Sequence, residues 1–582
     1  MTLSIHIDSD SLEGEILKSD SPAKQLVKKY VSAKKSYHKA RAEKQPDSSI
    51  VSKFRGVDDK YKLPEGGMPS RQVYDILHDG LSLDGNTELN LASFVNTHLE
   101  EDAEKLIMEN LTKNLADNDE YPMLIDIQQR CISILADLWH APVDVQNAAL
   151  GTACTGSSEA IMLGGLAMKK NWQARRKAQG KDPYHPNILM ASCCQVALEK
   201  FARYFDVEAR IITVSETDFL LDYDLVRRNV DENTIGVFVI MGSTYTGGFE
   251  DVQKVSDILQ EYEDETGNFV PIHVDGASGG IVASVVYPEL AWDFRNPRVV
   301  SINCSGHKFG LATAGLGWVV FRNQSWLPQE LKFQLQYLGG LEESFTLNFS
   351  RPGYQVIHQY FNFLHLGKQG YFEIFDNCIT NARILSKFLE ETKLFVCVSN
   401  LHLPAGHTAR GAPREAPSPV NHHLFLSEHK YYNPALPVVS FQFSPEFSKK
   451  YPEIPQSLVS KLLRNRKWII PNYGLPKATK EDSKLNNEIL RVVVKYNLTS
   501  QLLDKLMHDI VEVMEILMKS VDLVRANVEK LKHSAKEAED EETGDAMVYN
   551  MLLSIANDGN EKLIKLKDAE PQQKHHSFRG AC

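Results

Sequence analysis

The sequence predicts an α/β protein. It comprises a large domain with a mostly parallel central sheet covered on both faces, a smaller α+β C-terminal domain, and an N-terminal helical segment. Three observations carry this. Apolar runs at 187–192, 235–243, 269–275, 299–304 and 316–322 alternate with helical stretches such as 252–263, and strand–helix alternation of this kind builds a parallel sheet. A segment rich in Pro, Gly and Ala at 401–419 interrupts the pattern before strand-like runs resume at 438–441 and 490–494. Apolar residues recur at helical spacing from Val73 to Ala141, after a polar, basic start with a helix near 22–44. The expected division is 1–88 for the arm and helical segment, 89–378 for the large domain, 379–535 for the small domain and 536–582 for an acidic, flexible tail.

Composition narrows the function. The chain has 582 residues, 43% hydrophobic and 24% charged, ordinary for a soluble globular protein. The formal net charge of -12 argues against nucleic acid as a partner, since phosphates need a basic face. Charge is uneven: Lys24 to Lys44 holds eight Lys or Arg and one acid, whereas Glu537 to Asp545 is mostly acidic. A solvated helix and a flexible tail account for both. Eight scattered cysteines without CxxC spacing read as a reduced intracellular chain. No apolar run reaches the roughly 18 residues of a membrane span, and Met1 to Glu15 carries acids without an apolar signal core. The expected compartment is the cytoplasm, with no membrane partner.

The chemistry sits at strand ends. Gly156-Ser157-Ser158-Glu159 opens a helix pattern with serine caps, and Lys169, Lys170, Arg175 and Arg176 load its far end. Free N–H groups and hydroxyls at such a start cradle an anion; alone, ordinary capping explains them. The 269–274 run delivers Asp275 into Gly276-Ala277-Ser278-Gly279-Gly280, and the 299–304 run delivers Ser305-Gly306-His307-Lys308. Thr244, Asp275 and Lys308 thus fall beyond the carboxyl ends of strands, where open α/β sheets bind ligands. A lone lysine there reads as a loop residue. Lysine, acid and anion cradle in this order are what pyridoxal phosphate needs: the amine forms a Schiff base and the acid keeps the pyridine nitrogen protonated. No GxxxxGK[ST] occurs, and no HExxH or CxxC supports a metal. His422-His423 and His575-His576 read as solvated pairs.

Several further stretches carry a specific resemblance: Leu83-Asp84-Gly85-Asn86, Asn90-Leu91-Ala92-Ser93-Phe94, Asp119-Glu120-Tyr121-Pro122, Lys200-Phe201-Ala202-Arg203-Tyr204-Phe205, His273-Val274-Asp275 and Asn348-Phe349-Ser350-Arg351-Pro352. Together with the serine and lysine motifs they resemble glutamate decarboxylase of the bacterial and plant type, from about residue 75 to 510, in a fungal member. The resemblance implies the aspartate-aminotransferase-like fold (fold type I) and a set of roles. Lys308 would bind the cofactor covalently and Asp275 would pair with its ring nitrogen. Ser157, Ser158, Ser305 and His307 would hold the phosphate, with Ser350 reaching it from a neighbouring subunit. Thr244 would lie near the ring oxygen or the leaving carboxylate. Gln195 would cover the ring face, where decarboxylases for aromatic amino acids and histidine usually have His. Ser93, Phe94, Asn114 and Asp117 would recognise the substrate's side-chain carboxylate, Asp117 only by sharing a proton with it, and Arg491 the α-carboxylate. The chain departs from the family at Gly276, where Ala is usual, and at Cys154-Thr155.

The implied reaction converts L-glutamate to 4-aminobutanoate and carbon dioxide in a homo-oligomer. A decarboxylase for another acidic amino acid and a catalytically silent scaffold are the alternatives. The amphipathic stretch Gln501–Ser534 is read as a packed helix of the small domain. The acidic run after Lys536 is opposite in sign to a calmodulin target, so calmodulin is not an expected partner. The site-plugging C-terminal His of bacterial relatives is not carried over to His575 or His576.

Overall fold

The computed structural model describes residues 61–534 apart from 143–148, 216–217, 336–341, 409–427 and 477–487, with pieces at 25–27, 29–33 and 36–37. The acidic tail, both His pairs and most of the basic arm lie outside the described residues, as does the 401–419 loop beyond residue 408. The chain divides into two compact units, one built on Met1–Asn86 and one on Thr87–Gln573. In the first, the pieces described between residues 25 and 37 are helical. The same unit holds a helix, Ser70–Leu81, with Tyr74, Leu77 and Leu81 exposed along it.

The second unit is organised by a seven-stranded sheet. Its strands are β1 Leu150–Cys154, β2 Asn187–Ala191, β3 Glu208–Ile212, β4 Thr234–Ile240, β5 Ile272–Asp275, β6 Val299–Cys304 and β7 Gly317–Phe321, in the spatial order β1-β7-β6-β5-β4-β2-β3. Only β7 runs against the others. Every residue of β2, β4, β5, β6 and β7 is buried, which is why these strands read as continuous apolar runs. Two strands of this sheet escaped the sequence reading. β1, Leu-Gly-Thr-Ala-Cys, is too short and small to signal, and β3 carries Glu208 and Arg210 because it is an exposed edge.

The helix Ser157–Ala178 packs across β4, β6 and β7. It approaches so closely that a Cβ at Gly164 would fall 2.4 Å from His273 Nδ1, so only glycine fits there. The stretch Tyr354–Glu391 is two helices joined at Gly367, whose φ of 57° breaks the ladder; the boundary expected at 378/379 falls inside the second. A four-stranded antiparallel sheet follows, Phe395–Cys397, Val438–Phe443, Glu488–Val493 and Asn472–Gly474 in spatial order. The last helix among the described residues, Ser500–Ser534, buries Leu503, Leu506, Ile510, Val513, Leu517 and Val521. That spacing marks one face turned into the core, each side chain contributing about 1.5–3 kcal/mol.

Candidate active site

Three neighbouring parallel strands deliver the reactive groups. β5 ends on Asp275, Thr244 follows β4 by four residues, and Lys308 follows β6 by four. Asp275 is buried, and its Oδ1 accepts from Ala277 N at 3.1 Å and Asn303 Nδ2 at 3.0 Å. The chain of bonds runs on: Asn303 Oδ1 meets His273 Nε2 at 2.8 Å, and His273 Nδ1 meets Ser301 Oγ at 2.7 Å. Burial pushes His273 down to about 4, against the pull of Asn303 and the Asp275 charge, so the ring is neutral at pH 7. Bond polarity is then fixed from one end. Asn303 donates to the carboxylate, its carbonyl accepts the Nε2 proton, and Nδ1 accepts from Ser301. The parallel register pairs His273 with Ser301 and Asp275 with Asn303, which sets the four side chains on one face.

Facing this acid is a set of anion donors. The helix Ser157–Ala178 starts at Ser157, and its N-cap is Gly156 without a side-chain bond. The expectation of serine caps is therefore corrected: Ser157 and Ser158 occupy the first helical turn and line the cavity. Closure of the turn falls instead to Glu159, whose Oε2 accepts from Thr155 N at 2.8 Å and Thr155 Oγ1 at 3.0 Å. Its Oε1 takes Leu347 N at 3.0 Å and Asn348 N at 3.1 Å. Those bonds hold the Glu159 carboxyl below its ordinary value despite the opposing cost of burial. Ser157 Oγ lies 2.7 Å from Ser305 Oγ. His307 Nδ1 accepts from Leu316 N at 3.1 Å. Burial, aided by the Lys308 charge, lowers His307 to about 4, so the neutral ring carries its proton on Nε2, a donor.

Lys308 is 5% exposed, with Ser278 Oγ 3.4 Å from its Nζ and the Phe94 ring centre 5.5 Å away. Ser157, Ser158, Gln195, Thr244, Asp275, Ser305, His307 and Lys308 all line one cavity of about 200 Å³. Gln195 also caps the helix Val196–Tyr204, its Oε1 accepting from Ala197 N at 2.6 Å. Arg491 stands next to this group. Its Nη1 donates to Thr244 O at 2.9 Å, its Nη2 to Ala92 O, and its guanidinium lies 4.9 Å from the Phe94 ring centre. The departure at Gly276 has a packing reason: a Cβ there would fall 2.8 Å from Asn303 O.

The residues expected to meet the substrate divide into two groups. Phe94 and Arg491 stand beside the cavity residues Lys308 and Thr244, and Ser93, next to Phe94 in the chain, accepts from Val95 N at 3.1 Å through Oγ. Asn114, Asp117 and Ser350 form another group, with Asn114 Nδ2 at 2.9 Å from Asp117 Oδ1 and 3.4 Å from Ser350 Oγ. Among the described residues of one chain, no hydrogen bond or shared cavity wall joins the two groups. The sequence reading assigned no role to Asn303, Ser301, Ser278 or Glu159. A signal for two of them was present, since Ser301 and Asn303 are polar residues at period two in an otherwise apolar strand.

These residues fit pyridoxal 5'-phosphate. A hydroxyl pair at a helix start and the His307 donor suit a phosphate, a bonded carboxylate suits a cationic ring nitrogen, and a buried amine lies between the strand ends. The pyridoxal-dependent decarboxylase conserved domain matches residues 69–405. Glutamate decarboxylase of Saccharomyces cerevisiae is 47% identical over 553 residues, covering 91% of both chains. Glutamate decarboxylase 5 of Arabidopsis thaliana is 41% identical, over 89% of this chain and 96% of its own. Among solved structures, Lactobacillus brevis glutamate decarboxylase superposes with a TM-score of 0.70 at 34% identity, over 80% of this chain and 96% of that one. A sphingosine-1-phosphate lyase from Burkholderia pseudomallei, at 18% identity and a TM-score of 0.61 over 84% of this chain and all of its own, shares the fold. This chain belongs to the pyridoxal-dependent decarboxylase family, as a carboxy-lyase of fold type I that uses pyridoxal 5'-phosphate.

Proposed function

We propose that the chain converts L-glutamate to 4-aminobutanoate and carbon dioxide in the cytoplasm, as a homo-oligomer of two or more copies. The observation that carries this is the shared cavity of Lys308, Asp275 and the serine cradle with Arg491 at its edge, in a chain 47% identical to a glutamate decarboxylase. Pyridoxal phosphate, when bound, supplies the electron sink that takes up the pair left by carbon dioxide. Lys308 Nζ would hold its aldehyde end, and Ser157, Ser158, Ser305 and His307 its phosphate. Asp275 would keep a proton on the ring nitrogen, and the Ser301–His273–Asn303 chain orients that carboxylate. Gln195 would cover the ring, and Thr244 would lie beside the ring oxygen or the departing carboxylate. Arg491, steadied by two backbone carbonyls, would bind the α-carboxylate and so orient the bond that breaks.

Ser93, Phe94, Asn114 and Asp117 would bind the distal carboxylate, Asp117 through a shared proton. Among the described residues no hydrogen bond or shared cavity wall joins Asn114, Asp117 and Ser350 to Arg491, which supports a second copy bringing its own three to the cavity. The helix Ser500–Ser534 turns its apolar face into the core, which argues against a calmodulin target there. No helix among the described residues is long and apolar enough to cross a membrane. The test is carbon dioxide release from L-glutamate, L-aspartate and cysteine sulfinate by the coenzyme-loaded protein, with Lys308→Ala alongside. Turnover of glutamate above the other two, lost by at least about 10³-fold in the variant, is expected; preference for another acid would redirect the reading. A silent protein would overturn it.

A further inference from the structure

A second group of reactive side chains lies at one edge of the four-stranded antiparallel sheet. Glu390 lies in the last turn of the helix that follows Gly367, Cys397 ends the strand Phe395–Cys397, and His402 lies five residues on. One ligand atom from each falls within 4.8 Å of the others. The His402 side chain is 3% exposed, and among the described residues neither ring nitrogen makes a hydrogen bond. Its Nε2 does stand 3.2 Å from Glu390 Oε2, yet the two atoms are not aligned as donor and acceptor. A buried imidazole left this way forfeits the bonds it would make in water, so the arrangement calls for a partner.

We propose that Glu390, Cys397 and His402 bind a divalent transition metal ion of the zinc class. A tetrahedral ion with metal–nitrogen and metal–oxygen distances of about 2.0–2.2 Å spaces those two ligand atoms about 3.3 Å apart, close to the separation found, and the two then point at the ion rather than at each other. Thiolate, imidazole and carboxylate together are donors that zinc favours. Glu390 Oε1 accepts from Cys397 N at 3.3 Å, which turns Oε2 toward His402 as an outer bond does in metal sites. Cys397 Sγ donates to Ser386 O at 3.5 Å; on binding, the thiol proton leaves to solvent and the sulfur ligates as thiolate. The fourth position is left for water. The sequence hid this site because the ligands, seven and five residues apart, match none of the familiar zinc spacings.

The ion would clip the helix end to the strand and to the turn after it. That turn adjoins the catalytic side: Val398 N donates to Ser440 O at 2.7 Å, and Ser440 Oγ donates to Tyr245 O, beside Thr244. The experiment equilibrates tag-free, coenzyme-loaded protein with Zn²⁺, removes free metal and measures zinc and coenzyme per chain. Retention of about one zinc per chain is expected, lost at least tenfold in His402→Gln and Cys397→Ser with coenzyme content unchanged. Should either variant fail to fold, Co²⁺ loading of the unaltered protein decides, through the near-ultraviolet thiolate-to-cobalt band. No retained zinc, equal retention in the variants, or cobalt bound without that band overturns the proposal.

Discussion

The acid end of the cavity and the Asn114–Asp117–Ser350 group are both built from small polar side chains, but they are held very differently. Asp275, Asn303, His273 and Ser301 lie on adjacent buried strands, and each side chain is fixed by the next. Asn114, Asp117 and Ser350 sit on connecting segments at the half-buried or exposed surface, joined by one bond of 2.9 Å and one of 3.4 Å. The first set is preorganised by a single chain, as an electrostatic device must be. The second is tied mainly through Asn114, whose Oδ1 accepts from Ala116 N at 3.2 Å and Arg351 N at 3.0 Å. The Asp275 set is thus held within one chain, whereas on the reading proposed above a second copy brings the Asn114–Asp117–Ser350 group to the cavity.

The comparison breaks if Asp117 acts within its own chain. Asp117→Ala is expected to lower kcat/KM for glutamate by about 100-fold, near the cost of an unpaired buried charge, without altering coenzyme content. Mixing equal amounts of Lys308→Ala and Asp117→Ala subunits under exchange conditions should restore about a quarter of wild-type activity in a dimer, because half the dimers carry one intact site. No recovery despite proven exchange would place both residues in one subunit's site.

A smaller effect sharpens the other half. Asn303→Ala removes one bond to Asp275 and leaves the His273 Nε2 proton without its acceptor, at about 1–3 kcal/mol. Coenzyme affinity should fall about tenfold and the absorbance of the bound coenzyme should shift. An unchanged spectrum and affinity would reduce the chain of bonds to packing. The smallest effect concerns Glu250, buried beside the cavity wall with Oε2 accepting from Ile240 N at 2.7 Å and Oε1 from Leu221 N at 3.2 Å. Burial raises its carboxyl to about 8. Between its unfolded value near 4.5 and about 8, the folded chain holds a proton that the unfolded chain has lost, so stability falls as pH rises through that window. Thermal midpoints measured from about pH 6 to pH 9 should decline in the wild type and decline less in Glu250→Gln.

Much of the architecture was legible because burial on both faces writes strands as plain apolar runs. β6 keeps its expected bounds, since the run stops at Ser305-Gly306. β5 begins at Ile272 rather than 269, because Pro271 has no N–H to give the ladder. β3 was hidden by the charges an edge strand needs. At the site, eight of the expected cofactor residues line one cavity, while Ser350 does not. The serine caps failed because the hydroxyls turn to the cavity and Glu159, four residues past Thr155, closes the turn. The division of the expected substrate residues into two groups had no local signal, since periodicity reports a residue's own element and not its distant neighbours.

Gly164 draws the fold together. It lies two turns into the helix that starts with Ser157 and Ser158, and its missing side chain lets the main chain rest on His273 and Ser301. The span from the hydroxyl pair to the acid is therefore gauged by backbone touching imidazole, like a spacer of fixed thickness. Changes in the lining can reshape the chamber's walls, but its length is set beneath them.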